Sequence, residues 1–263
     1  MAIAKVNDVN LHYELRGDGT EPVVLIHGAQ GDSRLLEPFV PWLSSRCRML
    51  LFDQRGLGRS DKPDVPYSMA LIADDTAQLM SEVGWTSAHI IGVSMGGMIA
   101  QELALNHPER VRSLVLGCTA AGGRGDVDSN PAYAKGDLSL GDRARLFAEA
   151  IFTPGHLERH PETIQALADL RRTAPLDPAG FARRLEALRA HDTFDRLSQI
   201  LCPTLVITGA DDTLIPADNS RQLASDIPNA ELVVLADAAH AFWAEQPEHA
   251  FGHILGFLAR QSS

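Results

Sequence analysis

The sequence predicts an α/β protein whose strands lie mostly parallel in one sheet, and three observations predict it. Short, continuously apolar runs recur along the chain, and stretches of helical composition separate them. One of these runs ends in a glycine-hedged turn that carries a single serine, with a helical stretch directly behind it. The strand-like runs then stop near residue 120 and resume near residue 199. Buried strands alternating with helices imply a parallel sheet with right-handed crossovers. The interruption implies a helical insertion.

In order, residues 5–16 alternate, with Leu11, Tyr13 and Leu15 on one face and His12, Glu14 and Arg16 on the other. With Asn7-Asp8 as turn chemistry they read as a half-exposed antiparallel hairpin. Pro22 to Ile26 is apolar throughout, as a strand covered on both faces should be. It ends in the small-residue loop His27-Gly28-Ala29-Gln30-Gly31. A second such strand, Met49 to Phe52, leads into Asp53-Gln54-Arg55-Gly56-Leu57-Gly58-Arg59-Ser60-Asp61. Residues 69–83 place Ile72, Leu79, Met80 and Val83 on one helix face, with Asp74, Asp75 and Glu82 elsewhere. Ala88 to Val93 is the strand before the serine, and Leu114-Val115-Leu116 the next one. Between 120 and 198, helical patterns cover Leu140–Ile151, Pro161–Arg172 and Pro178–His191. Their arginines, Arg171 and Arg184 among them, read as a solvated surface. The β-pattern resumes at Thr204–Thr208, followed by a helix over Asp218–Ile227, a strand at Leu232–Leu235 and a last helix from Pro247 to about Arg260. Residues 1–119 and 199–263 thus form the core and 120–198 the insertion.

Composition narrows the partners. With 263 residues and 45% apolar content the chain suits one large domain. A formal charge of −11 disfavours nucleic acid and anionic membranes. No apolar run is long enough to span a bilayer. The first fifteen residues lack the basic start and apolar stretch of a secretory signal, and three scattered cysteines give no disulfide framework or metal cluster. The expectation is a cytoplasmic location, with oligomeric state left open.

The serine turn carries the chemistry. Gly92 and Gly96 flank Ser94 in the pattern G-x-S-x-G, a nucleophile elbow. A serine in a strained turn has room only where its neighbours lack a Cβ. Such a turn lifts the hydroxyl above the sheet edge and aims the first N–H groups of the following helix at the same spot. Strand C-terminal ends share one edge, where ligand crevices form. Ser94, Asp212 and His240 each follow a strand there, in the order the elbow motif predicts. Ser94 needs a base, for which His240 is the candidate; Asp212 would fix the ring's tautomer. His27 reads as an anchor of its loop, and His89, His107 and His249 as surface or helix-end positions. Asp53 and Arg55 read as a salt-bridged turn.

These residues resemble the α/β-hydrolases with a small helical cap. The likeness spans nearly the whole chain: His27-Gly28, Asp53-x-Arg55-Gly56-x-Gly58-x-Ser60, Gly92-x-Ser94-x-Gly96-Gly97, Gly209-x-x-Asp212-x-x-Ile215-Pro216 and Ala239-His240. It implies an α/β-hydrolase fold, a mostly parallel sheet of about eight strands flanked by helices, with residues 120–198 as the cap. The wording GVSMGGMIAQELALNHPERVRSLVL is similar to that of 3-oxoadipate enol-lactonases and related esterases. The resemblance selects Asp212 over its neighbour Asp211 as the acid. It assigns the oxyanion hole to the N–H groups of Met95, the residue after the nucleophile, and Ala29. Gln30 is a candidate substrate contact, and Phe242, Trp243 and Met95 are candidates for the acyl pocket.

The reading is a serine hydrolase of a small-molecule carboxylic ester or lactone that needs no metal or cofactor. An enol-lactone bearing carboxylates would require a cation, a cap arginine or Arg34, facing Ser94; an apolar pocket would favour a neutral ester. C–C hydrolysis or perhydrolysis by the same triad are alternatives, as is a non-catalytic binding scaffold. Haloalkane dehalogenase and epoxide hydrolase chemistry needs an aspartate where Ser94 stands.

Overall fold

The computed structural model describes residues 2–123 and 139–261; residues 124–138, part of the segment read as a cap, lie outside the described residues. The chain begins with strands β1 (Ala2–Val6), β2 (Val9–Arg16) and β3 (Glu21–Ile26), followed by helix α1 (Val40–Leu43), β4 (Cys47–Phe52) and α2 (Met69–Glu82). Next come β5 (Ala88–Val93), α3 (Met95–Asn106) and β6 (Val111–Gly117). Four helices follow: α4 (Leu140–Ile151), α5 (Pro154–Arg159), α6 (Glu162–Thr173) and α7 (Pro178–Arg189). The chain ends with β7 (Thr204–Gly209), α8 (Ala217–Asp226), β8 (Ala230–Leu235), α9 (Phe242–Glu245) and α10 (Pro247–Gln261).

One eight-stranded sheet runs in the order β1-β2-β4-β3-β5-β6-β7-β8. The pairs β1/β2 and β2/β4 are antiparallel and all others parallel. The first connections from β3 run outward to β4 and the later ones from β5 to β6, so the switch in direction lies between β3 and β5. The loops after these two strands flank the position where an open α/β sheet takes its ligand. They are the Ala29 loop and the Ser94 turn.

The strands alternate their apolar side chains between two cores. Val24 and Ile26 of β3, Ile90 of β5 and Leu114 and Leu116 of β6 pack against α2 and α3. Val23, Leu25, Ile91, Val93 and Val115 pack on the opposite face against Phe39, Leu43 and the α10 residues Phe251, Ile254, Phe257 and Leu258. Each such side chain contributes about 1.5–3 kcal/mol on burial. Helix ends are closed locally. Ser68 Oγ accepts from Leu71 N at 3.0 Å to start α2. Gly84, at φ +78°, stops it: Gly84 N bonds Ser81 O at 2.9 Å and Trp85 N bonds Met80 O at 2.8 Å, a left-handed cap that glycine adopts without strain.

Several polar residues lie deeper than periodicity implies. His89 is 1% exposed rather than a surface residue, because β5 is central; its Nδ1 lies 2.8 Å from Ser113 Oγ on β6. His12 is buried too, since the loop after β4 folds over β2 and Ser60 Oγ accepts from His12 N at 2.9 Å. Asp53 and Arg55 do not pair with each other. Asp53 takes Arg59 Nε at 2.8 Å and Ser33 Oγ at 2.6 Å. Arg55 reaches α2, with Nε 2.5 Å and Nη2 2.8 Å from the carboxylate of Asp75. Both partners are about 1% exposed, so Asp75 faces the protein rather than solvent.

Candidate functional site

The turn between β5 and α3 is as tight as its glycines imply. Ser94 has φ +56° and ψ −126°, a conformation that costs an L-residue about 1–3 kcal/mol. The surroundings hold it there: Ser94 N donates to Gly117 O at 2.8 Å, and Ser94 O accepts from Gly97 N at 2.8 Å and Thr119 Oγ1 at 2.7 Å. A Cβ on Gly92 would lie 2.3 Å from Gly96 O, and one on Gly96 2.1 Å from Ile26 O. Gly28 packs against the serine itself, where a Cβ would stand 3.2 Å from Ser94 Cβ.

The loops after β7 and β8 bring the other two groups together. Asp211 N bonds Ala238 O at 2.9 Å, closing the loops on each other. His240 Nδ1 lies 2.8 Å from Asp212 Oδ2, while Asp212 Oδ1 accepts from Leu214 N and Ile215 N at 2.9 Å each. The carboxylate is thereby fixed and the ring oriented. Asp211 is exposed and turned away. The other ring nitrogen, Nε2, lies 3.8 Å from Cys118 Sγ. Among the described residues Ser94 Oγ makes no hydrogen bond, so the serine–histidine contact is open in this structure. Such contacts often tighten only with substrate bound.

Burial opposes charge on His240, but the Cys118 sulfur and the Asp212 carboxylate outweigh it and hold the imidazole well above its ordinary value. Burial also pushes the Cys118 thiol up. The ligand atoms of Cys118, Asp212 and His240 lie within 4.8 Å of one another. Asp212 and Nδ1 are spent on each other, so that group offers an ion only Nε2 and the sulfur.

Ser94 and His240 open into a cavity of about 570 Å³. Ala29 and Gln30 line it from the sheet edge; Phe147, Leu167, Leu170 and Leu188 line it from α4, α6 and α7. Met95 is the first residue of α3, whose N–H has no intrahelical acceptor. Among the described residues no acceptor takes the Ala29 N–H.

Of the pocket candidates, Trp243 lines the cavity, whereas Phe242 and the Met95 side chain do not. Phe242 is 1% exposed within the α10-side core, because α9 turns its first residue under the sheet. Gln30 is engaged by the insertion: Arg171 Nη2 donates to Gln30 O at 2.5 Å and to Gln30 Oε1 at 3.2 Å. Arg34 lines the cavity, but Asp32 neutralises it at 2.5 Å, and its Nη1 donates to Thr173 O at 3.1 Å. Arg171 and Arg184 are therefore not solvated surface; Arg184 is fully buried. Glu245 joins the same scaffold, accepting from Thr153 N and Oγ1 at 2.8 and 2.7 Å and from Ala239 N at 2.5 Å. No sequence signal singled out Glu245 or Cys118 at this site.

A model of the alpha/beta hydrolase fold family matches residues 21–247. The chain belongs to that family. The "Putative carbamate hydrolase RutD" of Azorhizobium caulinodans is 34% identical, with 98% of each chain covered. A hydrolase from Pseudomonas aeruginosa is 29% identical with a TM-score of 0.86, covering 98% of this chain and 97% of that one. The enol-lactonase from Burkholderia xenovorans is 28% identical with a TM-score of 0.85, covering 98% of this chain and all of that one. Family and relatives together support a hydrolase. No described helix is long and apolar enough to cross a membrane.

Proposed function

We propose that the protein hydrolyses a neutral carboxylic ester or lactone through an acyl-enzyme on Ser94, with residues 120–198 as a cap that shapes the substrate site. The observation that carries this is the Asp212–His240 contact at 2.8 Å beside a serine held in a strained elbow, both opening into one apolar cavity. His240 Nε2 takes the proton as Ser94 Oγ attacks the carbonyl, which requires the ring nitrogen to engage the hydroxyl rather than Cys118. Asp212 holds the Nδ1–H tautomer and stabilises the imidazolium. The Met95 and Ala29 N–H groups receive the oxyanion; one such donor is worth on the order of 3 kcal/mol. His240 returns the proton to the leaving alcohol and then activates the water that releases the acid.

The cavity supports a neutral substrate. Its walls are mainly apolar and Arg34 already has Asp32, so Arg189 of α7, which also lines the cavity, is the cation a lactone with free carboxylates would have to use. The apolar walls rank neutral lactones and simple esters first, with 3-oxoadipate enol-lactone, its carboxylate held at Arg189, as the alternative.

The test is a fluorophosphonate probe together with a panel of neutral and carboxylated esters, lactones and a carbamate. The wild type should be labelled and turn over neutral esters, and Ser94→Ala should lose both, with turnover falling by something like 10⁶-fold. An unlabelled, inactive wild type would point to a binding scaffold instead. Turnover of diketones or use of peroxide in preference to esters would move the reading to C–C hydrolysis or perhydrolysis.

A further inference from the structure

Helix α7 places a buried cation beside this site that the mechanism above leaves unused. Arg184 is 0% exposed. Its Nη2 donates to Gln54 Oε1 at 2.7 Å and lies 3.6 Å from Met95 Sδ, while Nε and Nη1 are buried without a partner. Among the described residues no carboxylate lies within ion-pair distance of it. Burying a guanidinium unpaired is costly. That cost drags its pKa down to about 9, which still leaves it charged at pH 7.

Both contacts lead to the segments that carry the candidate oxyanion donors. Met95 provides one donor itself. Gln54, whose Oε1 Arg184 holds, donates from Nε2 to His27 O at 2.8 Å, two residues before Ala29. His27 is buried, and burial together with the charge of Arg184 lowers its pKa to about 4, so the ring is neutral. The charges nearest that ring are already matched elsewhere, Asp32 by Arg34 at 2.5 Å and Asp53 by Arg59 at 2.8 Å.

We propose that Arg184 is a positioning residue of the oxyanion hole: it fastens the Met95 and Ala29 segments from the helical side and sets an unpaired positive charge behind the acyl oxygen. This rests on the acyl-transfer reading above. The substrate carbonyl is neutral and gains little from such a charge, whereas the tetrahedral intermediate carries the anion the guanidinium lacks. The benefit therefore falls on kcat rather than KM.

The experiment compares Arg184→Met, Arg184→Lys and Gln54→Glu in the full-length protein, with a neutral p-nitrophenyl ester and thermal denaturation. Arg184→Met should lose about tenfold or more in kcat, with KM changed less than about twofold and Tm no lower than wild type. Arg184→Lys, which keeps the charge, should recover most of the loss. Gln54→Glu, which gives the guanidinium a carboxylate, should lower kcat without lowering Tm, and it carries the test if Arg184→Met does not fold. The proposal is overturned if Arg184→Met or Gln54→Glu keeps wild-type kcat. It is equally overturned if Met and Lys at 184 lose kcat alike along with Tm, which is what a packing role predicts. Fluorophosphonate labelling separates the two readings: an unlabelled wild type refutes acyl transfer, and a labelled enzyme indifferent to Arg184 refutes only this inference.

Discussion

Replacing Gly92 with alanine adds one methyl group where β5 turns into α3. The new Cβ would lie 2.3 Å from Gly96 O, 2.6 Å from Gly96 C and 2.8 Å from Gly97 N, all main-chain atoms that cannot rotate aside. Ordinary contact begins at 3.4 Å, so the first turn of α3 must retreat by about 1 Å. That turn carries Ser94 and the Met95 N–H, and a misplacement of about 1 Å can cost ~10²-fold in rate. Overpacking adds a stability penalty of about 1–3 kcal/mol, which lowers Tm by several degrees in a chain of this size. Ester hydrolysis and thermal denaturation of Gly92→Ala read both effects. Gly252→Ala is the control, because Gly252 lies within α10 with nothing within 4 Å of the new Cβ. It should leave activity intact and stabilise by about 0.5–1 kcal/mol. A Gly92→Ala protein with kcat and Tm like wild type would refute the reasoning about the elbow.

Asp212→Asn should lower kcat by about 10⁴-fold while Ser94 stays in place, because the amide presents the wrong tautomer to His240; a loss under about tenfold would remove Asp212 from the site. The active base is neutral imidazole, so kcat/KM should rise with pH. Since the Cys118 sulfur and the Asp212 carboxylate, against burial, hold the His240 pKa above its ordinary 6.5, the limb should lie on the alkaline side of that value in a profile from acid to alkaline pH. Asp75→Ala should cost up to about 3–5 kcal/mol in chemical denaturation, because it leaves the buried Arg55 only the exposed Asp8, at 2.9 Å, as a partner. The Asp53 carboxyl, held low by Arg59 and Ser33 against the opposing effect of burial, adds stability above its unfolded value near 4. Asp53→Asn should therefore flatten the loss of stability as pH falls below about 4, measured by denaturation across acid pH.

The elements that hydrophobic pattern dictates were legible along the chain. β3, β4, β5 and β7 are apolar on both faces because the sheet is covered on both, and a continuous run is the direct record of that. Ser94 was legible because its turn needs glycines at fixed offsets, a local demand that any strand-to-helix elbow imposes. Buried polar partnerships were not. Asp75, Arg184 and His89 sit on positions whose periodicity or composition reads as solvent-facing, and each is buried only because a group far along the chain meets it: Arg55, Gln54 and Ser113 respectively. Nothing local encodes such a meeting. For the same reason Gln30 read as a substrate contact, although Arg171, 141 residues away, holds it.

The bonds from Arg171 to Gln30 and from Arg34 to Thr173 make the cavity roof and the Ala29 loop one mechanical unit. Swinging α6 outward far enough to admit a bulky ester gives up both charge-assisted hydrogen bonds, each worth roughly 1.5–3 kcal/mol, and slackens the loop beneath. Under the proposed mechanism, entry and readiness to react would then alternate. The route would be open while the proposed oxyanion site is loose, and that site would be taut only with α6 seated on the Ala29 loop.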